Sequence, residues 1–161
     1  MDDSRYAPPK AKVEGAALGS VAAPALWNPN AAVNWSLLFT PIFGTWLHML
    51  NWQALGETER AESAKTWLLL SSLMLVGLNV VGVLVRIAGF AQVTGLVSFV
   101  LLLTWYFASA RAQARWVAER YGDRYPRKGW WQPLLGAVVL CAANSFAIVF
   151  VAAISLMLMP Q

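Results

Sequence analysis

Charge is missing from four long stretches of this chain, and this limits the fold more than any motif does. No Asp, Glu, Lys or Arg occurs in residues 15–56, 66–85, 87–110 or 129–161. A transmembrane helix needs roughly 20 consecutive, mostly apolar residues, and each of the last three stretches supplies them. Soluble domains carry charge on about a quarter of their residues, whereas the charged fraction here is 12%. The sequence therefore predicts an all-α, polytopic membrane helical bundle.

The chain divides into an arm and a membrane domain. Residues 1–27 lack an apolar core and contain a Pro-Pro pair, which favours a flexible cytoplasmic arm over a signal peptide. Residues 28–161 form the membrane domain. Its predicted elements are a broken helix pair at 28–56 and spans at 67–85, at 91–110 with an extension to 120, and at 131–158.

One Asn-Pro pair and one Thr-Pro pair divide the stretch 28–56. Asn28-Pro29 is typical of a helix start, because an Asn side chain caps free N–H groups and proline suits the first turn. Thr40-Pro41 repeats the signal, and an internal proline penalises one continuous helix by about 3 kcal/mol. The predicted elements are a helix over 29–39, a second over 41–55 and a left-handed stop at Gly56.

The membrane placement of this pair leaves two versions of the fold. If the pair enters and returns, the protein has three transmembrane helices plus a broken re-entrant or interfacial pair. If it crosses, there are four transmembrane helices. Residues 111–128 hold six of the twelve Lys and Arg residues. In the re-entrant version, eleven of the twelve lie on the same side of the membrane as residues 111–128. Since basic residues accumulate in the cytoplasm, we expect a cytoplasmic N-terminus and a periplasmic C-terminus.

Tryptophan placement agrees with that orientation. Trp67, Trp105, Trp130 and Trp131 fall near the predicted cytoplasmic ends of the three spans. An indole prefers the membrane–water boundary, where its ring meets lipid and its N–H finds a polar partner. We therefore expect these four residues at one boundary.

Polar residues inside the predicted spans are amides and hydroxyls rather than ionisable groups. The lack of ionisable residues there counts against proton relays and ion-coupled transport. Asn79 and Asn144 are expected near mid-membrane, where a hydrogen bond could join them as glue between helices. A solvated pathway is the alternative reading. The intramembrane polar candidates are Asn79, Gln92, Asn144 and Ser145.

The break at Thr40-Pro41 is the predicted functional element. The second helix of the pair is amphipathic, with apolar and polar residues on opposite sides. Wedged at the boundary, the pair can present aromatic side chains to a partner or to lipid. The expected partner- or lipid-facing residues are Trp35, Phe39, Pro41, Phe43 and Trp46.

The basic residues after the second predicted span flank hydrophobic helices, so nucleic acid is not an expected partner. They are explained first as topology determinants and then as contacts to anionic lipid headgroups. The predicted anionic-lipid contacts are Arg111, Arg115, Arg120, Arg124, Arg127 and Lys128.

Catalytic and cofactor chemistry has little support. His48 is the only histidine and Cys141 the only cysteine, so neither a metal site nor a catalytic triad is expected. We expect no cofactor, no enzymatic activity and an interfacial His48 with its hydrogen bonds satisfied. An enzyme acting on lipid headgroups would need Glu119, Asp123 or His48.

The segment WNPNAAVNWSLLFTPIFGTWLHMLNW, preceded by RYAPPKAKV, resembles segments of small uncharacterised inner-membrane proteins of proteobacteria. The resemblance covers about the first third of the chain; it implies a bacterial inner membrane and carries no known activity. The expected function is non-enzymatic binding of a membrane protein partner, or self-association, as an accessory or assembly subunit or as protection against a membrane toxin. The alternatives are a small oligomeric channel or transporter and, third, a lipid-headgroup enzyme.

Overall fold

The computed structural model describes residues 22–85 and 89–157, and within them the fold is all-α apart from one isolated backbone bridge. The predicted fold class is confirmed. The helices are α1 (Pro29–Ala54), α2 (Thr58–Val85), α3 (Phe90–Trp105), α4 (Arg111–Tyr121) and α5 (Trp131–Met157), with a π-helical turn, Tyr106–Ala110, joining α3 to α4.

Three helical stretches in the described residues are long and apolar enough to cross a membrane, namely Thr58–Leu84, Phe90–Tyr121 and Trp131–Ile154. α1 is not among them. The predicted spans fall within these stretches or the helices that contain them, except for residue 158, which lies outside the described residues. The architecture is consistent with a multi-pass membrane protein.

Charged residues are clustered at the start of α2, with Glu57 one position before it. Two ion pairs form there, between Glu57 and Arg60 at 3.7 Å and between Glu62 and Lys65 at 3.2 Å. Both pairs are solvent-exposed. Each therefore contributes little to the free energy of unfolding, since such pairs on a helix typically contribute roughly 0.3–0.5 kcal/mol.

The predicted break in α1 is confirmed. Phe39 has φ −107° and ψ 15°, and Thr40 has φ 71° and ψ 164°, so neither residue is helical. The cause is Pro41, which has no N–H and excludes the helical conformation from the residue before it. Asn28 caps the helix start by accepting two backbone N–H groups at 3.0 and 3.3 Å, and Gly56 follows the end with φ +74°.

Because of this break, α1 folds back as a hairpin of two short helices. The Trp27 backbone N–H donates to the Asn51 side-chain oxygen at 3.0 Å, and the Asn51 amide donates to the Trp27 carbonyl at 2.8 Å. A straight helix of 26 residues would separate its ends by about 39 Å at 1.5 Å per residue. The two ends of α1 instead meet at one end of the molecule.

The segment before α1 and the loop after α4 also lie at that end. The Leu26 N–H donates to the Pro126 carbonyl at 3.0 Å, and the Lys128 N–H donates to the Leu26 carbonyl at 2.8 Å. Leu26 is completely buried beside Val117 and Tyr125. The predicted flexible arm is therefore too long at its C-terminal end, because these contacts fix its last residues; residues 1–21 lie outside the described residues.

We call this end of the molecule the basic end. It comprises residues 26–28, the end of α1, the start of α2, α4 and the 122–130 loop. Every Lys and Arg in the described part of the chain falls in residues 60–65 or 111–128. The described positive charge is thus concentrated at one end of the molecule.

The polar side of the second half of α1 faces the protein interior. Thr45, His48 and Asn51 are completely buried, whereas Ile42 and Trp46 are partly exposed. The polar residues of the predicted amphipathic pattern are therefore packed inward. Phe43 and Leu47 are buried as well, so only part of the apolar side of this helix is exposed.

Trp105 also belongs to the interior. Its indole is completely buried and packs edge-on against His48 with ring centroids 5.0 Å apart, and its N–H has no partner in the described structure. The expected environment of Trp105, with lipid at the ring and a polar partner at the N–H, is therefore not found. Gly44 is the physical reason, because a Cβ there would lie 2.6 Å from the indole and its absence lets the ring reach α1.

Candidate functional site

A cleft of about 500 Å³ opens where α1 breaks. We call it the break cleft. Its walls are the residues on both sides of the α1 break, one face of α2 from Leu68 to Asn79, and one face of α5 from Gly136 to Asn144. The cleft therefore lies between α2, α5 and the hairpin formed by α1.

Thr40 lines this cleft in a strained backbone conformation. The combination of φ 71° and ψ 164° is accessible almost only to glycine and costs on the order of 1–3 kcal/mol for other residues. A β-branched side chain makes the strain more severe. Such residues persist where surrounding packing holds them, and they cluster at functional sites. This is the most distinctive local feature of the cleft.

Aromatic residues continue through the break. Ring centroids are 6.1 Å apart for Trp35 and Phe39, 5.4 Å for Phe39 and Phe43, and 6.4 Å for Phe43 and Trp46. The last three of these residues line the cleft. Trp35 packs against Trp130 at 6.4 Å instead and lies outside the cleft lining.

Two of the five predicted partner- or lipid-facing residues need correction. Pro41 is completely buried, and Phe43 is only 5% exposed. The hairpin causes this, because folding back places the first turn of the second helix against its own partner and against α5. Pro41 therefore shapes the cleft through the backbone, while Phe39 and Trp46 supply accessible ring surface.

Two of the four predicted intramembrane polar residues, Asn79 and Asn144, are brought together in the cleft lining. The hydrogen bond expected between them is not formed, because the Asn79 amide donates to the Leu75 carbonyl of its own helix at 2.8 Å. Asn144 is exposed, and its side chain has no hydrogen-bond partner among the described residues. Gln92 is not part of the cleft, and neither is Ser145, whose hydroxyl donates to the Cys141 carbonyl at 2.9 Å.

A buried polar network ties the hairpin to α4. The Gln113 amide donates to the His48 carbonyl at 2.9 Å, and the Asn51 amide donates to the Gln113 side-chain oxygen at 3.3 Å. All three side chains are completely buried. Gln113 was not among the candidates from sequence, because nothing in its local pattern, between exposed arginines of α4, marks it as an interior residue.

His48 lies in the protein interior. Its Nε2 donates to the Pro29 carbonyl at 3.1 Å, and its Nδ1 has no partner in the described structure. Desolvation lowers the pKa of His48 to about 4, although the hydrogen bond to the Pro29 carbonyl opposes the shift. The prediction that the hydrogen bonds of His48 are satisfied is therefore wrong, because the ring is enclosed and one of its two nitrogens is unpaired.

The residues named for lipid-headgroup catalysis do not form one site. His48 is enclosed, and Asp123 pairs with Arg127 at 2.9 Å in the loop after α4. Glu119 lies on an exposed face of α4. Within residues 22–85 and 89–157, no group of three His, Cys, Asp or Glu side chains is arranged to hold a metal ion.

A second concavity, of about 440 Å³, lies at the basic end between the end of α1, the start of α2, the π-helical turn and α4. We call it the basic groove. Of the six predicted anionic-lipid contacts, Arg115 lines this groove, and Arg120 packs over the Trp116 ring of its wall at 5.1 Å. The others lie at the same end, with Lys128 over Trp27 at 4.2 Å.

The two concavities suit different chemistry. The break cleft is mainly apolar with two amides, which fits a helix or another apolar body carrying a hydrogen-bonding group. The basic groove carries guanidinium groups and hydroxyls, which fit an oxyanion. Comparison with protein-family models, with curated proteins and with solved structures found no match for this chain.

Proposed function

We propose that this chain is a non-enzymatic inner-membrane protein that binds a transmembrane helix of a protein partner in the break cleft. The observation that carries the proposal is a strained helix break that opens a 500 Å³ cleft beside two intramembrane amides. An accessory or assembly subunit, or a protein that protects against a membrane toxin, works by such binding.

Asn144 favours a helix as the occupant. A polar group facing hydrocarbon without a partner costs several kcal/mol in order of magnitude. A partner helix that offers a hydrogen-bonding side chain at this depth would remove that cost. Gly136 and Ala137 line the same wall, and small residues let two helix backbones approach closely.

The shape of α5 supports the same occupant. Beyond Ala137, no described residue of α5 is buried by the rest of the chain. One side of this helix lines the cleft, so a docked helix would give α5 a further neighbour besides α1 and α2. The cleft would then be a missing position in a helical bundle.

We also propose that α1 is re-entrant, with both of its ends on the cytoplasmic side. Two observations support this: the ends of α1 are hydrogen-bonded together, and they share the basic end with the described Lys and Arg residues. By the positive-inside rule, that end faces the cytoplasm. The three spans then place the C-terminus in the periplasm.

Photo-crosslinking in intact cells tests the partner proposal. A photoreactive phenylalanine analogue replaces Leu140, which lines the cleft and is 71% exposed, or Phe146, which is 73% exposed on the other side of α5. We expect a discrete protein adduct from position 140 and none from position 146. The Asn144→Leu variant should weaken the position 140 adduct, because it removes the hydrogen-bonding group from the cleft.

Other outcomes would count against the proposal. Equal adducts at both positions would indicate general membrane crowding. An adduct formed only between two differently tagged copies of this chain would replace the partner with self-association. Adducts to lipid alone at position 140 would make the cleft a lipid site.

A channel or transporter remains the second candidate, because Asn79 and Asn144 line one cleft. Such a pathway needs several copies of the chain, since Gln92 and Ser145 lie outside that lining. Flux into liposomes tests it directly. Specific conductance that Asn144→Leu abolishes would favour the channel over partner binding.

A further inference from the structure

We propose that the basic groove binds the phosphate group of an anionic phospholipid at the membrane boundary. No residue lines both this groove and the break cleft. The site is therefore separate from the partner site proposed above. Its occupant is a lipid of the surrounding leaflet rather than a protein.

The groove presents four groups that recognise oxyanions. Arg60 and Arg115 supply guanidinium groups, and Ser63 and Ser109 supply hydroxyls. Neither hydroxyl has a hydrogen-bond partner elsewhere in the described structure, and Arg115 has no ion pair there. A guanidinium fork matches two phosphate oxygens at once, so these donors are free to bind a phosphodiester.

Arg60 is held in place before any ligand arrives. Its guanidinium lies 4.9 Å from the centroid of the Trp52 ring and 5.7 Å from that of Trp116. Its Nε is 3.7 Å from the Glu57 carboxylate, which is longer than a hydrogen bond and leaves the terminal N–H groups available. A side chain fixed in this way loses less rotamer freedom on binding.

The aromatic walls point to an anion rather than to a choline or ethanolamine ammonium group. An ammonium group would need an open aromatic face. Arg60 covers both indoles, and Arg120 packs over Trp116 at 5.1 Å. Counting the lining together with Glu57 and Arg120 beside it, three guanidinium groups face two carboxylates, Glu57 and Glu119. This leaves one positive charge to match a single phosphodiester.

The π-helical turn places the groove beside a lipid-facing surface. This turn supplies Ala108 and Ser109 to the groove wall, while Phe107 on the same turn is 58% exposed. Exposed Leu103 continues that apolar surface along α3. A phosphate in the groove could therefore keep its acyl chains along α3, and π-helical turns often occur at functional sites.

Native mass spectrometry of the delipidated full-length protein tests the site. Phosphatidylglycerol and phosphatidylcholine are titrated separately, and the affinity of the first bound lipid is measured for each. We expect wild type to prefer phosphatidylglycerol. The pair Arg60→Gln/Arg115→Gln should weaken its binding by roughly tenfold or more, because two charge-assisted donors are lost, and should leave phosphatidylcholine unchanged.

The matched control is Lys65→Gln, which is compared with Arg115→Gln: each variant removes one positive charge, and the exposed Lys65 does not line the groove. Lys65→Gln should change the affinity by less than about twofold, as expected for an exposed charge. Equal losses in Arg115→Gln and Lys65→Gln would overturn the proposal, because binding would then follow net charge. If the groove pair fails to fold, Arg115→Gln alone decides, since that side chain has no ion pair or ring contact in the described structure; an unchanged affinity in that variant would also overturn it.

A competition arm separates a lipid from a soluble phosphate compound. Inorganic phosphate at millimolar concentration should not displace phosphatidylglycerol, because it lacks the acyl chains that lie along α3. Displacement at a concentration equal to that of the lipid would overturn the lipid assignment.

Discussion

α1 and α5 invert the usual relation between apolarity and burial. α1 contains prolines, three asparagines and a histidine, yet among the described residues its second half is the most enclosed. α5 is among the stretches apolar enough to span a membrane, yet beyond Ala137 none of its described residues is buried. In this protein, hydrogen bonds and close packing hold the interior together, and apolar surface faces outward, as expected where lipid replaces water.

The largest expected effect on stability comes from removing the hydrogen bonds that hold the two ends of α1 together. Asn51→Ala should lower the free energy of unfolding by about 3 kcal/mol or more, because it leaves the Trp27 backbone and Gln113 groups unpaired at about 1–3 kcal/mol each. Ser145→Ala, on exposed α5, should change it by less than about 0.5 kcal/mol, because that hydroxyl donates only to a carbonyl of its own helix. Reversible unfolding in mixed micelles measures both variants. Similar losses at the two sites would mean that the network does not hold α1 in place.

Close packing at Gly44 should matter nearly as much. Gly44→Ala places a Cβ against Trp105 and Ser36, and we expect a loss of about 1–3 kcal/mol from overpacking. Gly136→Ala on α5 meets no atom within 4 Å and should be neutral or stabilising by up to about 1 kcal/mol, since alanine favours a helix. The same unfolding titration compares them. A tolerated Gly44→Ala would show that Trp105 does not pack against α1.

Protonation of His48 should weaken the hairpin in acid. The pKa of His48 is lowered from 6.5 to about 4 in the folded protein, so the unfolded state binds more protons between these values and stability falls as pH decreases. The loss between pH 7 and pH 5 should be about 2 kcal/mol. His48→Gln should remove this part of the pH dependence. An unchanged slope in that variant would assign the dependence to other groups.

The smallest expected effect on stability comes from relieving the backbone strain at the break in α1. Thr40→Gly should stabilise the protein by about 1 kcal/mol, because relief of backbone strain exceeds the entropy cost of glycine. Thr104→Gly, at an exposed helical position in α3, should destabilise it by about 0.5 kcal/mol. Unfolding midpoints of the two variants should therefore move in opposite directions. Destabilisation by both would mean that Thr40 carries no strain.

Features with a local cause were predictable from sequence. Thr40-Pro41 predicts the break, because proline chemistry acts on its immediate neighbours. The three potential spans also follow from the uncharged, apolar stretches of the sequence. Each of these predictions needs no knowledge of how distant segments meet.

Features that depend on the closing of α1 were not predictable. The Asn51 amide reaches Trp27 across 24 positions of sequence, and Gln113 reaches His48 across 65. Once the hairpin forms, Pro41 and Trp105 become interior residues and the break cleft acquires its walls. The sequence pattern of α1 shows a polar side but does not show which way that side faces.

A spin-label distance across α1 tests the central claim, that its two ends meet. Labels are placed at the exposed positions Asn30 and Gln53 in a Cys141→Ser background, and the distance is measured by pulsed electron paramagnetic resonance in lipid nanodiscs. A straight helix would separate these positions by about 35 Å at 1.5 Å per residue. The hairpin predicts a much shorter distance that lengthens in Asn51→Ala. A single distance population near 35 Å in the otherwise unmodified protein would contradict the account.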